Sequence, residues 1–258
     1  MSNTAVVVSG VLRHIEHASK SWKFDADYYL VVEKNIYKAH SQVPLGQVEE
    51  GFPNLISSVP FVSKTICDSH SVVSAVECSN RSLANYGPAQ MAWKWKVAYE
   101  KIIQSSKYYD RVILLRPDLW LFENNGDPIE PIIPATGEIY SMADYQPDIQ
   151  PNRGYETTGD VFMMMNVSTF KILANFYDYV IMYYVDLVIN NRHDIHSLLA
   201  KYMRDMGITL NPWLGQNYGF IVLRGNSDHM FNSTGLIEGY NLLHLMQQQE
   251  EWWRNIYG

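Results

Sequence analysis

Four short runs, Ala5–Val8, Tyr28–Val32, Arg111–Leu115 and Val161–Met165, are apolar at nearly every position rather than at every second one. A strand with one wet face alternates; a continuous apolar strand is buried on both faces, as in a parallel sheet covered by helices. Helical spacing separates these runs. In AQMAWKWKVAYEKIIQSS, behind Gly87-Pro88, residues Met91, Trp95, Ala98 and Ile102 recur on one helical face. Pro88 suits a first turn, and Lys94, Lys96 and Lys101 are expected mostly on other faces. Strands alternating with helices predict an α/β fold with a mostly parallel sheet flanked by helices on both faces, and 258 residues fit one large domain of this kind or two small ones. Such sheets bind ligands beyond the carboxyl ends of their strands.

The remaining elements fit this frame. A helix is expected from Arg13-His14 through Ser19, a third strand over Pro60–Ile66 and a short one over Glu138–Met142. Ser168 is placed to cap a long aromatic helix reaching about Asn190. A further helix is expected over Asp194–Met206, a late strand over Tyr218–Leu223, and a helical C-terminus from about Gly235. Residues 38–60, with Pro44, Gly46, Gly51 and Pro53, read as loop with short elements, and 123–137, rich in Pro and Gly, as loop.

Composition narrows the function. The net charge is −7 and no Lys/Arg cluster exists to neutralise phosphates, so nucleic acid is not expected as the main ligand. The 18 Tyr and 7 Trp suit core packing, and also sugar-binding clefts, where a ring face stacks and a polar tip hydrogen-bonds. Cys67 and Cys78 form neither a metal spacing nor a disulfide framework. The first residues lack the basic start of a signal peptide and are too short to span a membrane. A cytoplasmic location is therefore expected, with the sequons at Asn80, Asn166 and Asn232 unused.

Several residues stand where a ligand would sit. Ser9, Gly10 and Arg13 follow the first strand; glycine admits close backbone approach and arginine reaches a phosphate. Arg116-Pro117-Asp118 interrupts the apolar run RVILLRPDLWLF. An aspartate at a strand end can bind Mg²⁺ or Mn²⁺, and an arginine there can face a diphosphate or pair with a carboxylate. A purely structural Arg–Asp pair, with Pro117 ending the ladder, fits the same residues. Asp160 in TTGDVFMMMN is a candidate sugar ligand or general base. Asp194, His196, Asp228 and His229 form no recognised metal spacing, and Asp144 and Asp148 are weaker candidates.

The stretch from Tyr86 to Phe122, with Tyr109-Asp110-Arg111-Val112-Ile113 leading into Arg116-Pro117-Asp118, resembles GT-A-fold glycosyltransferases of viruses, phages and bacterial polysaccharide loci. VVVSGVLR is similar to the Ser-Gly-x-x-Arg start of those proteins, and TTGDVFMMMN to their later acceptor-side strand. The landmarks span roughly residues 5–170. The resemblance implies transfer of a sugar from a UDP- or GDP-linked donor to a glycan acceptor, in the host cytoplasm if the chain is viral. It implies a single GT-A-like, Rossmann-like domain over 1–258, in which about residues 1–122 would bind the nucleotide sugar and about 123–258 the acceptor. Ser9, Gly10, Arg13, Arg116 and Asp118 would hold the donor, Asp160 or else Glu156 would be the base, and Asp118 with His229 or Asp228 would hold a divalent cation. Arg116 stands where the family's Asp-x-Asp motif has its first aspartate, so it either leaves Asp118 to hold the metal or replaces part of its charge.

Two other classes compete. A carbohydrate-binding module without catalysis would use the same aromatic surplus. A sugar-nucleotide pyrophosphorylase would open with a Gly-rich, Lys-containing loop, which SGVLRHIEHASK lacks.

Overall fold

The computed structural model of the chain describes residues 3–12, 15–37, 44–47, 59–74, 77–78, 81–82, 87–123, 132–141, 162–184, 195–212, 218–222, 228–232 and 235–240. Its centre is a seven-stranded sheet in the order Thr209–Pro212, Glu138–Ser141, Phe162–Met165, Arg111–Leu115, Thr4–Gly10, Asp27–Glu33, Phe61–Cys67. The four strands from Arg111–Leu115 to Phe61–Cys67 are mutually parallel. Phe162–Met165 runs against both of its neighbours. The fold is thus mixed α/β with a mostly parallel sheet, and the antiparallel Phe162–Met165, buried throughout, shows that an unbroken apolar run reports burial on both faces and not strand direction.

Each face of the sheet carries its own core. Ala5, Val7, Tyr29, Val31, Val112 and Leu114 pack against Ala92, Trp95, Ala98 and Ile102 of the Gly87–Gln104 helix. Val6, Val8, Leu30, Val32, Ile113 and Leu115 pack on the other face with Leu12, Ile15, Trp22 and Leu119. Burial of a single large apolar side chain of this kind contributes ~1.5–3 kcal/mol, and successive residues of each strand contribute to the two cores in turn.

The chain leaves the central strand through a tight turn. Leu119 N–H donates to the Arg116 carbonyl at 3.2 Å, closing a four-residue turn with Pro117 in the position its fixed φ favours. Leu119–Glu123 then joins a second sheet with Tyr218–Val222, Asp228–Asn232 and Gly235–Tyr240. Trp22 Nε1 donates to the Leu119 carbonyl at 2.8 Å, and Leu121 N–H donates to Ser21 Oγ at 2.9 Å. These bonds tie the exit from the turn to the segment that follows the first helix, Ile15–Ala18.

Several expected elements differ. Gly235–Tyr240 is a strand, not a helix: it pairs with Asp228–Asn232, and its two glycines disfavour helix. The long aromatic helix is two, Val167–Ala174 and Phe176–Tyr184, parted at Asn175, whose N–H bonds Ile172 O at 3.0 Å. Its cap is Asn166, which accepts from Thr169 N–H at 2.8 Å, while Ser168 lies inside the first turn. The Asn166 amide also donates to Pro134 O and Thr136 Oγ1. The first helix is short and passes into a 3₁₀ turn over Ser19–Ser21. Residues 38–60 do carry a short element as expected, the strand Pro44–Gln47, paired with Asn35–Tyr37.

Candidate functional site

The register places the ends of the parallel strands at one edge. Gly10 pairs with Val32, Glu33 with Cys67, and Val8 with Leu115. Ser9 and Gly10, Glu33, Cys67 and the Arg116-Pro117-Asp118 turn therefore share the carboxyl edge of the sheet.

Gly10 and Pro117 bring two of these groups into contact. Gly10 has φ +146°, and a Cβ built on it would lie 3.1 Å from Pro117 Cδ. The glycine is needed both for its backbone conformation and for the close approach of the turn. In the turn, Arg116 Nε donates to Asp118 Oδ1 at 2.9 Å and Nη2 to Oδ2 at 2.7 Å. This is a bidentate fork, the strong form of a charge-assisted pair. The Asp118 side chain is 2% exposed and that of Arg116 18%. The charged break in the apolar run is thus satisfied internally, because the two charges that would be expensive to bury singly are buried as a pair.

The same pairing bears on a divalent cation. Both oxygens of Asp118 already accept from a guanidinium. An ion bound to them would lie about 4 Å from that positive charge, where a divalent and a unit charge repel by ~8 kcal/mol at an effective dielectric of ~20. Among the described residues no three His, Cys, Asp or Glu side chains gather as a ligand set. As arranged, Asp118 does not fit an open metal ligand. His229 sits in the second sheet, opposite Val222, which in turn lies opposite Leu119. Its backbone is therefore two strand spacings, about 10 Å, from that of Leu119; its side chain lies outside the described residues, as do Arg13, Glu156 and Asp160.

The sequence reading missed a second polar group at this edge. Lys94, expected on an outer face of its helix, is buried. Its ammonium donates to Ser69 Oγ at 3.1 Å and lies 3.7 Å from Glu33 Oε2, and the Ser69 hydroxyl bonds the same carboxylate oxygen. Burial holds the Lys94 ammonium below its usual range, against the pull of Glu33. Burial likewise pushes the neighbouring Cys67 thiol up to about 11. The signal was present in the sequence: Glu33 ends the run YYLVV as Asp118 follows RVILL, a carboxylate at the end of a buried strand.

Two buried side-chain oxygens among the described residues lack a hydrogen-bond partner, Ser9 Oγ and Glu33 Oε1. Strand alternation puts Ser9 on the face of Ala5 and Val7, and Glu33 on that of Tyr29 and Val31, both beneath the Gly87–Gln104 helix. Buried polar atoms without partners are rare enough to need an explanation, and a ligand is one.

The fold is similar to that of mouse xyloside xylosyltransferase 1 in its apo form, over 82% of this chain and 84% of that one, at 11% identity and a TM-score of 0.44. No family model and no curated protein matches the sequence.

Proposed function

We propose that the protein is a glycosyltransferase that moves a sugar from a UDP- or GDP-linked donor to a glycan acceptor. The observation that carries this reading is the Arg116–Asp118 turn seated on Gly10 at the carboxyl edge of a parallel sheet. Sheets of this kind place ligands at that edge. The unpartnered Ser9 Oγ and Glu33 Oε1 offer hydrogen bonds to a hydroxyl-rich or N–H-bearing donor beside it. The motifs around residues 5–118 and 157–166 support the same assignment by their order.

The chemistry follows from what must move. The acceptor oxygen attacks the anomeric carbon, the bond from that carbon to the phosphate oxygen breaks, and its electron pair leaves with the nucleoside diphosphate. A side chain must take the acceptor's proton in an inverting transfer. Asp160 is the assigned base, with Glu156 the second choice. Asp160 stands two residues before Phe162, which pairs with Leu115 at the site edge. Residues 1–122 would hold the donor, and 123–258 the acceptor.

The test is a thermal-shift screen with UDP, GDP and free glycans, followed by a transfer assay. Stabilisation by one nucleoside diphosphate, and donor turnover lost on Asp160→Asn, are expected. A response to free glycans alone would replace this reading with that of a carbohydrate-binding module.

A further inference from the structure

Resting on the nucleotide-sugar reading, we infer that the cation facing the donor diphosphate is the Arg116 guanidinium instead of a divalent ion, and that Asp118 is the buried residue that positions it. Of the two partners, the guanidinium is the one that reaches solvent, 18% exposed against 2% for the carboxylate. Its orientation is fixed from behind by two bonds to Asp118 and by a turn whose proline rests on Gly10. A planar, permanently charged fork held in this way is suited to phosphate oxygens.

Charge balance supports the exchange. Two carboxylates and a divalent ion sum to zero, and so do one arginine and one carboxylate. Arginine at the first position of the motif therefore removes a negative charge and supplies a positive one, which makes the metal's charge redundant. A divalent ion added to the present pair would face a like charge, while a diphosphate faces an opposite one. As the anomeric bond breaks and negative charge grows on the leaving phosphate, preorganised N–H donors meet it. No proton leaves the guanidinium, whose pKa is too high for acid catalysis.

The decisive measurement is calorimetric titration of the full-length chain with UDP and with GDP, each in EDTA and in Mn²⁺. Dissociation constants for the preferred nucleotide agreeing within about threefold between the two buffers are expected. Binding that requires Mn²⁺ would overturn the inference and leave the nucleotide-sugar reading intact. No binding of either nucleotide in either buffer would sink that reading itself. Arg116→Lys keeps the charge and loses the fork, and should weaken diphosphate binding about tenfold while nucleoside binding is unchanged. Unaltered diphosphate binding in that variant would overturn the role given to Arg116. Asp118→Asn should also weaken diphosphate binding in EDTA without affecting the nucleoside. Loss of a Mn²⁺ enhancement instead would make Asp118 a metal ligand. If either variant fails to fold, the comparison of buffers on the unaltered chain decides.

Discussion

Replacing Gly10 by alanine tests the contact on which the site depends. The residue has φ +146°, and the new Cβ would stand 3.1 Å from Pro117 Cδ and 3.7 Å from its Cγ. A side chain at such a φ costs ~1–3 kcal/mol in backbone strain. The close contact forces the proline ring to give by a few tenths of an ångström, a mild overpacking of ~1 kcal/mol. Alanine's smaller unfolded-state entropy offsets ~0.5–1 kcal/mol. The net loss is about 2 kcal/mol, or roughly 4–8 °C in Tm for a chain of this size. Urea unfolding of the single variant measures the whole effect. A double-mutant cycle with Pro117→Ala separates its parts, since removing Cδ and Cγ abolishes the contact but leaves the strain. A coupling of ~1 kcal/mol is expected, and the intrinsic effect of Pro117→Ala cancels in the cycle. A wild-type urea midpoint for Gly10→Ala would refute the strain argument. Zero coupling would refute the claim that the turn is seated on the glycine.

Other perturbations probe the frame around it. Trp22→Phe removes the donor to the Leu119 carbonyl and should destabilise by about 1–3 kcal/mol, read from urea unfolding, because a buried acceptor is left unpaired. Asn166→Ala should cost ~1 kcal/mol as a lost helix cap, whereas Ser168→Ala should change stability by less than about 0.5 kcal/mol; equal effects would contradict the observed cap. Stability should fall as the pH rises through 9–12, followed by circular dichroism. Cys67 ionises near 9.0 when unfolded and near about 11 when folded. Its contribution is complete below pH 9 and is lost as the unfolded thiol ionises. Tyr28 and Tyr202, raised from 10.0 to about 12, extend the fall. Lys94 acts in the opposite sense, because burial holds its ammonium below 10.5. Cys67→Ala should therefore move the onset from about pH 9 towards pH 10, where the tyrosines begin.

The strands were legible because short, unbroken and β-branched apolar runs state burial on both faces without needing a period. The run Arg111–Leu115 coincides with its strand, and Ala5–Val8 and Tyr28–Val32 fall within the longer strands Thr4–Gly10 and Asp27–Glu33. What failed was whatever depends on a distant partner. Gly235–Tyr240 is held by pairing with a neighbouring strand that local spacing does not report. Lys94 borders the apolar stripe of its helix, and only the arrival of Glu33 from another element makes its burial tolerable. Within the site, RVILLRPDLWLF announced a paired or liganded charge, and the structure supplies the pair. The contact of Pro117 with Gly10 joins residues far apart in the chain, so no local pattern announces it.

The placement of the first strand also bears on how the chain folds. Ala5 pairs with Asp27 on one side and with Val112 on the other. The second partner lies so far along the chain that closing this pairing is slow compared with forming the first. During synthesis this strand must therefore keep one edge of unpaired backbone N–H and C=O groups open until more than a hundred residues have followed it, as the Arg111–Thr4 separation of 107 shows. An exposed edge of that kind recruits other strands, so slowing translation before the Arg111–Leu115 codons should increase aggregation, and speeding it should raise the soluble yield.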